Sequence, residues 1–218
     1  MPENPASYRV VRTKSYLFNK AIHVFWRKGF SNTSIKDLEM ALDMRPGSIY
    51  ASFDSKAGLF TQALSVYATH QADKTRSVIQ AQQNPLDGLL TLLCCFAQEK
   101  PDGQPSYACF LVKSLLEMEN DEGEMKNLIR QHLLTMESIF SDAFSDAISM
   151  GYVADPDRPE HAPSRLARML QTKIIGIRIM SLQLAQNDLL RELTDDCAQF
   201  IEELKKSPDT EILVNDGL

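Results

Sequence analysis

The chain has 218 residues, 44% hydrophobic and 24% charged, which is enough apolar residue for a packed core and shows no collagen-like or disordered bias. Its net charge of −6, spread evenly, would argue against a nucleic-acid partner. It is not spread evenly: residues 1–60 hold 9 Lys and Arg against 5 Asp and Glu, a net of +4, and residues 61–218 hold 14 against 24, a net of −10. A basic head on an acidic body fits contact with phosphate through the head alone.

The first ten residues read as a polar tail, and Arg9, Arg12 and Lys14 add positive charge near the start of the first helix. That helix is expected from about Thr13 to Lys28, with Leu17, Ala21, Val24 and Phe25 as its apolar stripe and Gly29 as a left-handed cap. Ser31 to Lys56 then reads as two short helices joined by a tight turn. Ile35, Leu38 and Leu42 share one side of the first, Thr33 is its expected N-cap, and Asp43 suits the turn. Pro46 takes the first position of the second helix, where its fixed φ helps and its missing N–H costs nothing. Ile49 and Phe53 face inward, leaving Ser48, Tyr50, Ala51 and Ser52 largely outward. A short helix of that kind is what a DNA-reading helix-turn-helix needs.

Ser55 is placed to cap a long helix from about Lys56 to Gln82, with Leu59, Phe60, Ala63, Leu64, Val66 and Tyr67 apolar along it. Pro85 precedes an apolar helical segment over 86–99, and 100–106 reads as a loop. Further helices are expected at about 107–119, 124–150, 163–186 and 189–205, with Gly151 ending the second of these and Pro208 stopping the last. No alternating strand pattern appears, so the fold class is all-α. The acidic cluster of Glu117, Glu119, Asp121, Glu122 and Glu124 reads as a solvated turn rather than a metal site, and no cofactor is expected. Four cysteines, Cys94, Cys95, Cys109 and Cys197, make no disulfide framework at this length. With no stretch near the ~20 apolar residues of a membrane span and no apolar signal core, a reducing cytoplasm is expected.

The N-terminal quarter resembles the tetracycline-repressor (TetR) family of one-component regulators. The residues carrying the resemblance are Ala21, Phe25, Gly29, Phe30, Thr33, Ile35, Asp37, Leu38, Gly47, Ser48, Ile49, Tyr50, Phe53, Ser55 and Lys56, all in register. The departures are Glu39 for the usual Ala, Asp43 for the turn Gly, Arg45 for the common Ser, and Ala57 where an acidic residue often stands. They bear on operator sequence and local stability. The resemblance implies a three-helix DNA-binding domain over 1–56 and a helical effector-binding and dimerisation domain over 57–218. It implies a ligand-responsive regulator, most simply a repressor, that binds a palindromic operator in double-stranded DNA as a homodimer and is released by a small-molecule effector.

Within that frame, Thr33, Ser34, Tyr50 and Lys56 are candidates to grip phosphate, and Arg45, Gly47, Ser48, Ala51 and Ser52 to approach base edges. Phe96, Cys109, Lys113, Met136, Phe140 and Phe144 are candidate pocket residues. Leu166, Leu170, Ile174 and Ile177, with Leu190, Leu193, Cys197 and Ile201, form two apolar stripes expected to build the dimer interface. An alternative is a thiol-sensing repressor in which the Lys113 ammonium activates Cys109, against an inert Cys109 with Lys113 paired to Glu117. An enzyme carrying an incidental helix-turn-helix finds no catalytic motif to support it. A constitutive DNA-binding module differs from the regulator in having no effector response.

Overall fold

The computed structural model describes the backbone of residues 5–97, 108–118, 123–180 and 187–206, and the side chains of 14–95, 108–118, 123–180 and 190–206. The side chains of Arg9, Arg12 and Phe96, the loop expected at 100–106, Glu119, Asp121, Glu122, Leu184 and the stop at Pro208 lie outside the described residues.

Among the described residues there are nine α-helices: α1 (Pro5–Lys28), α2 (Ile35–Leu42), α3 (Pro46–Phe53), α4 (Lys56–Gln80), α5 (Pro85–Ala97), α6 (Phe110–Glu117), α7 (Glu124–Ser149), α8 (Pro163–Met180) and α9 (Asn187–Glu202). Helix α1 starts well before the expected Thr13. Pro5 suits a first helical position, and neither Gly nor Pro comes after it before Gly29. The loop after α7 contains an unexpected 3-10 turn, Pro159–His161. Its His161 Nδ1 lies 3.1 Å from Ala154 O and 2.9 Å from Asp155 O. Both are acceptors, so Nδ1 carries the hydrogen. An antiparallel bridge between Val153 and Lys205 ties the end of α9 to that loop. Ala154 N–H donates to Leu204 O at 2.8 Å and Lys206 N–H to Tyr152 O at 2.9 Å.

The chain forms two compact units: residues 1–71 with 100–133, and 72–99 with 134–218. The first exceeds the expected 1–56 head because the opening turns of α4 bury Leu59, Phe60, Ala63, Leu64 and Tyr67 with Phe25, Leu38, Ile49 and Phe53. Phe110 and Leu111 of α6, Met118 at its C-cap and Ile129 of α7 join the same core.

The second unit packs α5, α8 and α9 with parts of α4 and α7 around Leu86, Leu89, Leu93, Phe140, Phe144 and Ala147. Asn84 Oδ1 accepts from Leu86 N–H at 2.9 Å, capping α5. Here the expected dimer stripes need correction. Leu166, Leu170, Ile174 and Ile177 of α8 are buried in this same chain, as are Leu190, Cys197 and Ile201 of α9, and Leu193 packs against them. Removing such side chains from water contributes roughly 1.5–3 kcal/mol each, so the stripes are core and not a surface left for a partner. Burial also pushes the Cys197 thiol pKa up, as expected of an inert buried cysteine. Facing outward on α8 instead are Met169, Thr172, Gly176 and Met180.

Candidate DNA-binding interface

The approach to the helix-turn-helix is fixed by Gly29, whose φ of +83° is left-handed, and whose N–H donates to Phe25 O at 2.7 Å. The N-cap of α2 is Ser34, not Thr33. Ser34 Oγ accepts from Asp37 N–H at 3.2 Å, and Asp37 Oδ2 accepts from Ser34 N–H at 2.9 Å, completing a capping box. Thr33 is buried, and its hydroxyl donates to Gly29 O at 2.5 Å. Thr33 therefore cannot offer its hydroxyl to phosphate. The Ser34 hydroxyl donates to Asp37 Oδ2 at 2.8 Å and is engaged in the box.

Lys28 Nζ adds an ion pair to Asp37 Oδ1 at 2.6 Å. That ammonium, together with the Ser34 hydrogen bonds, holds the Asp37 carboxyl at about 2, below its ordinary 3.8. A depressed folded-state pKa means the ionised carboxylate stabilises the fold above about pH 4, and that contribution is lost as pH falls through about 2. Acid titration monitored by the α2 amide resonances should therefore show a loss of structure between those values. Asp37→Asn should flatten it, and an unchanged acid limb in that variant would show that another group is responsible.

The turn uses Asp43 in the left-handed region at φ 52°, as the sequence suggests. Arg45 is extended at the N-cap of α3, and Pro46 takes the first turn. Ile49 and Phe53 are buried, with Phe53 edge-on to Phe18 at 5.9 Å between centroids. Arg45, Gly47, Ser48, Tyr50, Ala51 and Ser52 all lie exposed, as expected. A Cβ built on Gly47 would meet nothing within 4 Å, so no internal packing demands glycine there. The glycine keeps the first turn of α3 bare, where an outside surface can come close to the backbone.

Lys56 departs from expectation. Its Nζ donates to Phe30 O and Thr33 O, each at 3.0 Å, and sits 4.4 Å from the centroid of the Phe30 ring. It is an internal tie between the start of α4 and the α1–α2 junction, which its charge secures without reaching outward. Ser55 behaves as expected: its Oγ accepts from Gly58 N–H at 2.9 Å. A residue absent from the sequence-based candidates is Met40, which leaves 69% of its surface exposed on α2. Its signal is present in the sequence, since Met40 falls off the Ile35, Leu38, Leu42 stripe.

The expected pocket residues divide between the two units. Cys109 and Lys113 belong to the first unit, whereas Met136, Phe140 and Phe144 belong to the second. Phe140 and Phe144 are buried in the core of the second unit. Open grooves on the second unit are lined by other residues: one of about 390 Å³ by Arg165, Arg168, Met169, Thr172 and Lys173, and one of about 330 Å³ that includes Arg158, His161, Met169 and Phe200. The thiol-sensing alternative is not favoured either. Lys113 Nζ donates to Trp26 O at 2.6 Å and Arg27 O at 3.1 Å, capping the end of α1, and the Cys109 thiol lies 3.7 Å from the Tyr67 hydroxyl. Lys113 is also not the surface partner of Glu117 that an inert Cys109 would leave it to be, because Glu117 accepts from Phe30 N–H at 2.8 Å and Ser31 N–H at 2.6 Å.

A chain whose described residues are mainly helical, and which presents a capped helix-turn-helix with a small, polar outer face, is a DNA-binding regulator. Residues 17–63 match the model of the family described as bacterial regulatory proteins, tetR family. Over that segment the chain carries the family's DNA-binding domain. It is 24% identical over 195 residues to the HTH-type transcriptional repressor ComR of Escherichia coli (strain K12), covering 86% of this chain and 88% of that protein. In fold it is similar to a TetR-family transcriptional regulator from Cytophaga hutchinsonii, with a TM-score of 0.79, 17% identity, and 90% and 96% of the two chains covered. It is also similar to a cysteine mutant of the TetR-family regulator CifR complexed with 26bp double-strand operator DNA, with a TM-score of 0.72, 23% identity, and 85% and 94% covered. Among the described residues no helix is long and apolar enough to cross a membrane.

Proposed function

We propose that this regulator is a repressor that binds a palindromic operator as a homodimer, reads it with α3, and lets go when a small molecule occupies the second unit. The single observation that carries the DNA contact is the outer face of α3: Arg45, Gly47, Ser48, Tyr50, Ala51 and Ser52 are exposed over a buried Ile49 and Phe53. The positive balance of residues 1–60 favours phosphate at that end of the chain. Tyr50 takes phosphate through its phenol, Arg45 reads guanine, and Ser52 and Ala51 meet neighbouring base edges. The likeness to ComR, a repressor by name, and to an operator-bound CifR points the same way. Residues 1–56 supply the DNA contact and 57–218 the effector and partner contacts, in the cytoplasm. For pairing, the outward α8 face of Met169, Thr172, Gly176 and Met180 replaces the buried stripes.

Selection of bound sequences from a random duplex pool tests this. A two-fold symmetric consensus is expected, with half-sites about one helical turn apart. The affinity should fall with salt by nearly one logarithmic unit per tenfold for each phosphate contact. Arg45→Ala or Ser52→Ala should relax preference at one position per half-site, Arg45→Ala by about 1–3 kcal/mol, while Tyr50→Phe should weaken all sequences alike. An asymmetric or absent consensus would defeat the reading.

A further inference from the structure

One turn of α6 grips both ends of the α1–α2 junction. At the end of α1 the carbonyls of Trp26 and Arg27 are among the last, where an α-helix leaves its acceptors without intrahelical partners and carries partial negative charge. The Lys113 ammonium covers both, at 2.6 and 3.1 Å. Gly29 then turns the chain through φ +83°, and the next two amides, Phe30 and Ser31, point at the Glu117 carboxylate, one on each oxygen, at 2.8 and 2.6 Å. Lys113 and Glu117 stand four residues apart, so they share one face of α6. The cation meets the carbonyl side of the junction and the anion meets the amide side.

Two features make this a fitted contact. A Cβ at residue 29 would lie 2.7 Å from Glu117 Oε2 and 3.0 Å from Oε1, so glycine is required for the approach of the carboxylate as well as for the backbone angle. Trp26 Nε1 donates to Ala108 O at 2.8 Å, adding a third tie between α1 and the entry to α6. Phe30 is then held from both sides of its own backbone, with its N–H on Glu117 and its C=O on Lys56. The segment leaving this junction leads directly to the Ser34 cap of α2.

We propose that Lys113 and Glu117 are positioning residues that couple α6 to the helix-turn-helix: with both contacts made, the junction holds α2 and α3 in the DNA-competent placement, and withdrawal of α6 releases it. The proposal rests on the DNA-binding reading above. Displacement of α6 by roughly 1 Å takes these hydrogen bonds beyond useful range, so the junction responds to small movements of α6. Both side chains are engaged by the protein's own backbone, which separates their role from a phosphate contact. Thermodynamic linkage adds a reciprocal requirement: DNA that favours the gripped state must also steady α6.

The test uses the full chain and duplex selected by the wild type. Glu117→Gln keeps the side-chain shape but turns one acceptor into an NH2 facing a backbone N–H. It should weaken DNA binding about tenfold or more while leaving the salt slope unchanged, since no phosphate contact is lost. In the wild type, DNA should slow amide exchange at Phe30, at Ser31 and along α6, and Glu117→Gln should abolish the slowing in α6. Lys113→Met should act in the same direction, with Lys113→Arg restoring binding. The double variant should be little worse than Glu117→Gln alone. Losses that add, or α6 amides that exchange alike with and without DNA in the wild type, overturn the coupling and leave two separate structural contacts. If Glu117→Gln does not fold, Lys113→Met carries the same comparison. A wild type that selects no DNA defeats the regulator reading instead, and exchange at Phe30 and Ser31 in the variants still reports whether α6 holds the junction.

Discussion

Phe60→Ala should cost the first unit about 3–5 kcal/mol, the range for truncating a fully buried phenylalanine. Phe60 is 0% exposed and sits at the centre of an aromatic group in the opening turns of α4. Its ring centroid lies 5.0 Å from that of Phe25, edge-on at 84°, 4.9 Å from Phe30, and 5.8 Å from Phe110, edge-on at 82°. Edge-to-face pairs such as those with Phe25 and Phe110 each add about 0.5–1.5 kcal/mol beyond the area they bury, although one truncation removes both at once, with the tilted Phe30 contact, and the values do not sum. Phe25 comes from α1, Phe30 from the junction before α2, and Phe110 from α6, so the cavity left behind would border three separate segments. At roughly 4 °C per kcal/mol for a unit of this size, the melting temperature of the first unit should fall by at least about 12 °C. Operator binding should be lost over the same temperature range, because Ile49 and Phe53 anchor α3 in this core. Differential scanning calorimetry with a DNA-binding titration on each side of the transition measures both. A fall of only a degree or two would mean that the neighbouring rings close the gap and that Phe60 is not the keystone its position suggests.

Much of this unit is legible in the sequence, and the parts that are not have identifiable causes. The α2–turn–α3 segment is legible because its signals are local: Pro46 at a helix start, Asp43 at a turn, and Ile49 and Phe53 four apart. The expected cap falls one residue early because Thr33 and Ser34 are both good capping residues. Ser34 and Asp37 have the spacing of a capping box, but only the structure shows the Thr33 hydroxyl turned inward to Gly29 O. Lys56 reads as a phosphate contact because its place in the motif says that it matters, not what it touches. Its partners, Phe30 O and Thr33 O, are more than twenty residues away. The Val153–Lys205 bridge has no periodic signature and joins residues too far apart for any window to see. The α8 and α9 stripes fail for a different reason. Periodicity identifies the face that is buried, and it is silent on whether the burying surface is the chain itself or another copy.

That ambiguity sets up the other large effect, a pair of neighbouring substitutions on α8 that should behave oppositely. Ile177 is 6% exposed within the core that includes Leu170, Ile174, Cys197 and Ile201. Ile177→Asp places a carboxylate inside this apolar core, a change in the class that exceeds about 4–5 kcal/mol. It should unfold the second unit, seen as lost helix content and a lost cooperative transition, and not simply split a dimer. One residue earlier, Gly176 is exposed, its φ is not left-handed, and a Cβ built on it meets nothing within 4 Å. Gly176→Glu should therefore fold at least as well as the wild type, since replacing a mid-helix glycine gains about 0.5–1 kcal/mol of helix propensity. If the outward face of Met169, Thr172, Gly176 and Met180 meets its own copy across a two-fold axis, the same substitution brings a carboxylate from each chain into an apolar contact that glycine had kept close. The expected result is a folded monomer whose melting temperature is unchanged or raised and whose affinity for a palindromic duplex has collapsed, because two half-sites can no longer be held together. Sedimentation at micromolar concentration, paired with circular dichroism, reads both variants. A Gly176→Glu protein that still sediments as a dimer would move the pairing surface off this face of α8, and an Ile177→Asp protein that keeps its helix content while becoming monomeric would return the buried stripe to the interface.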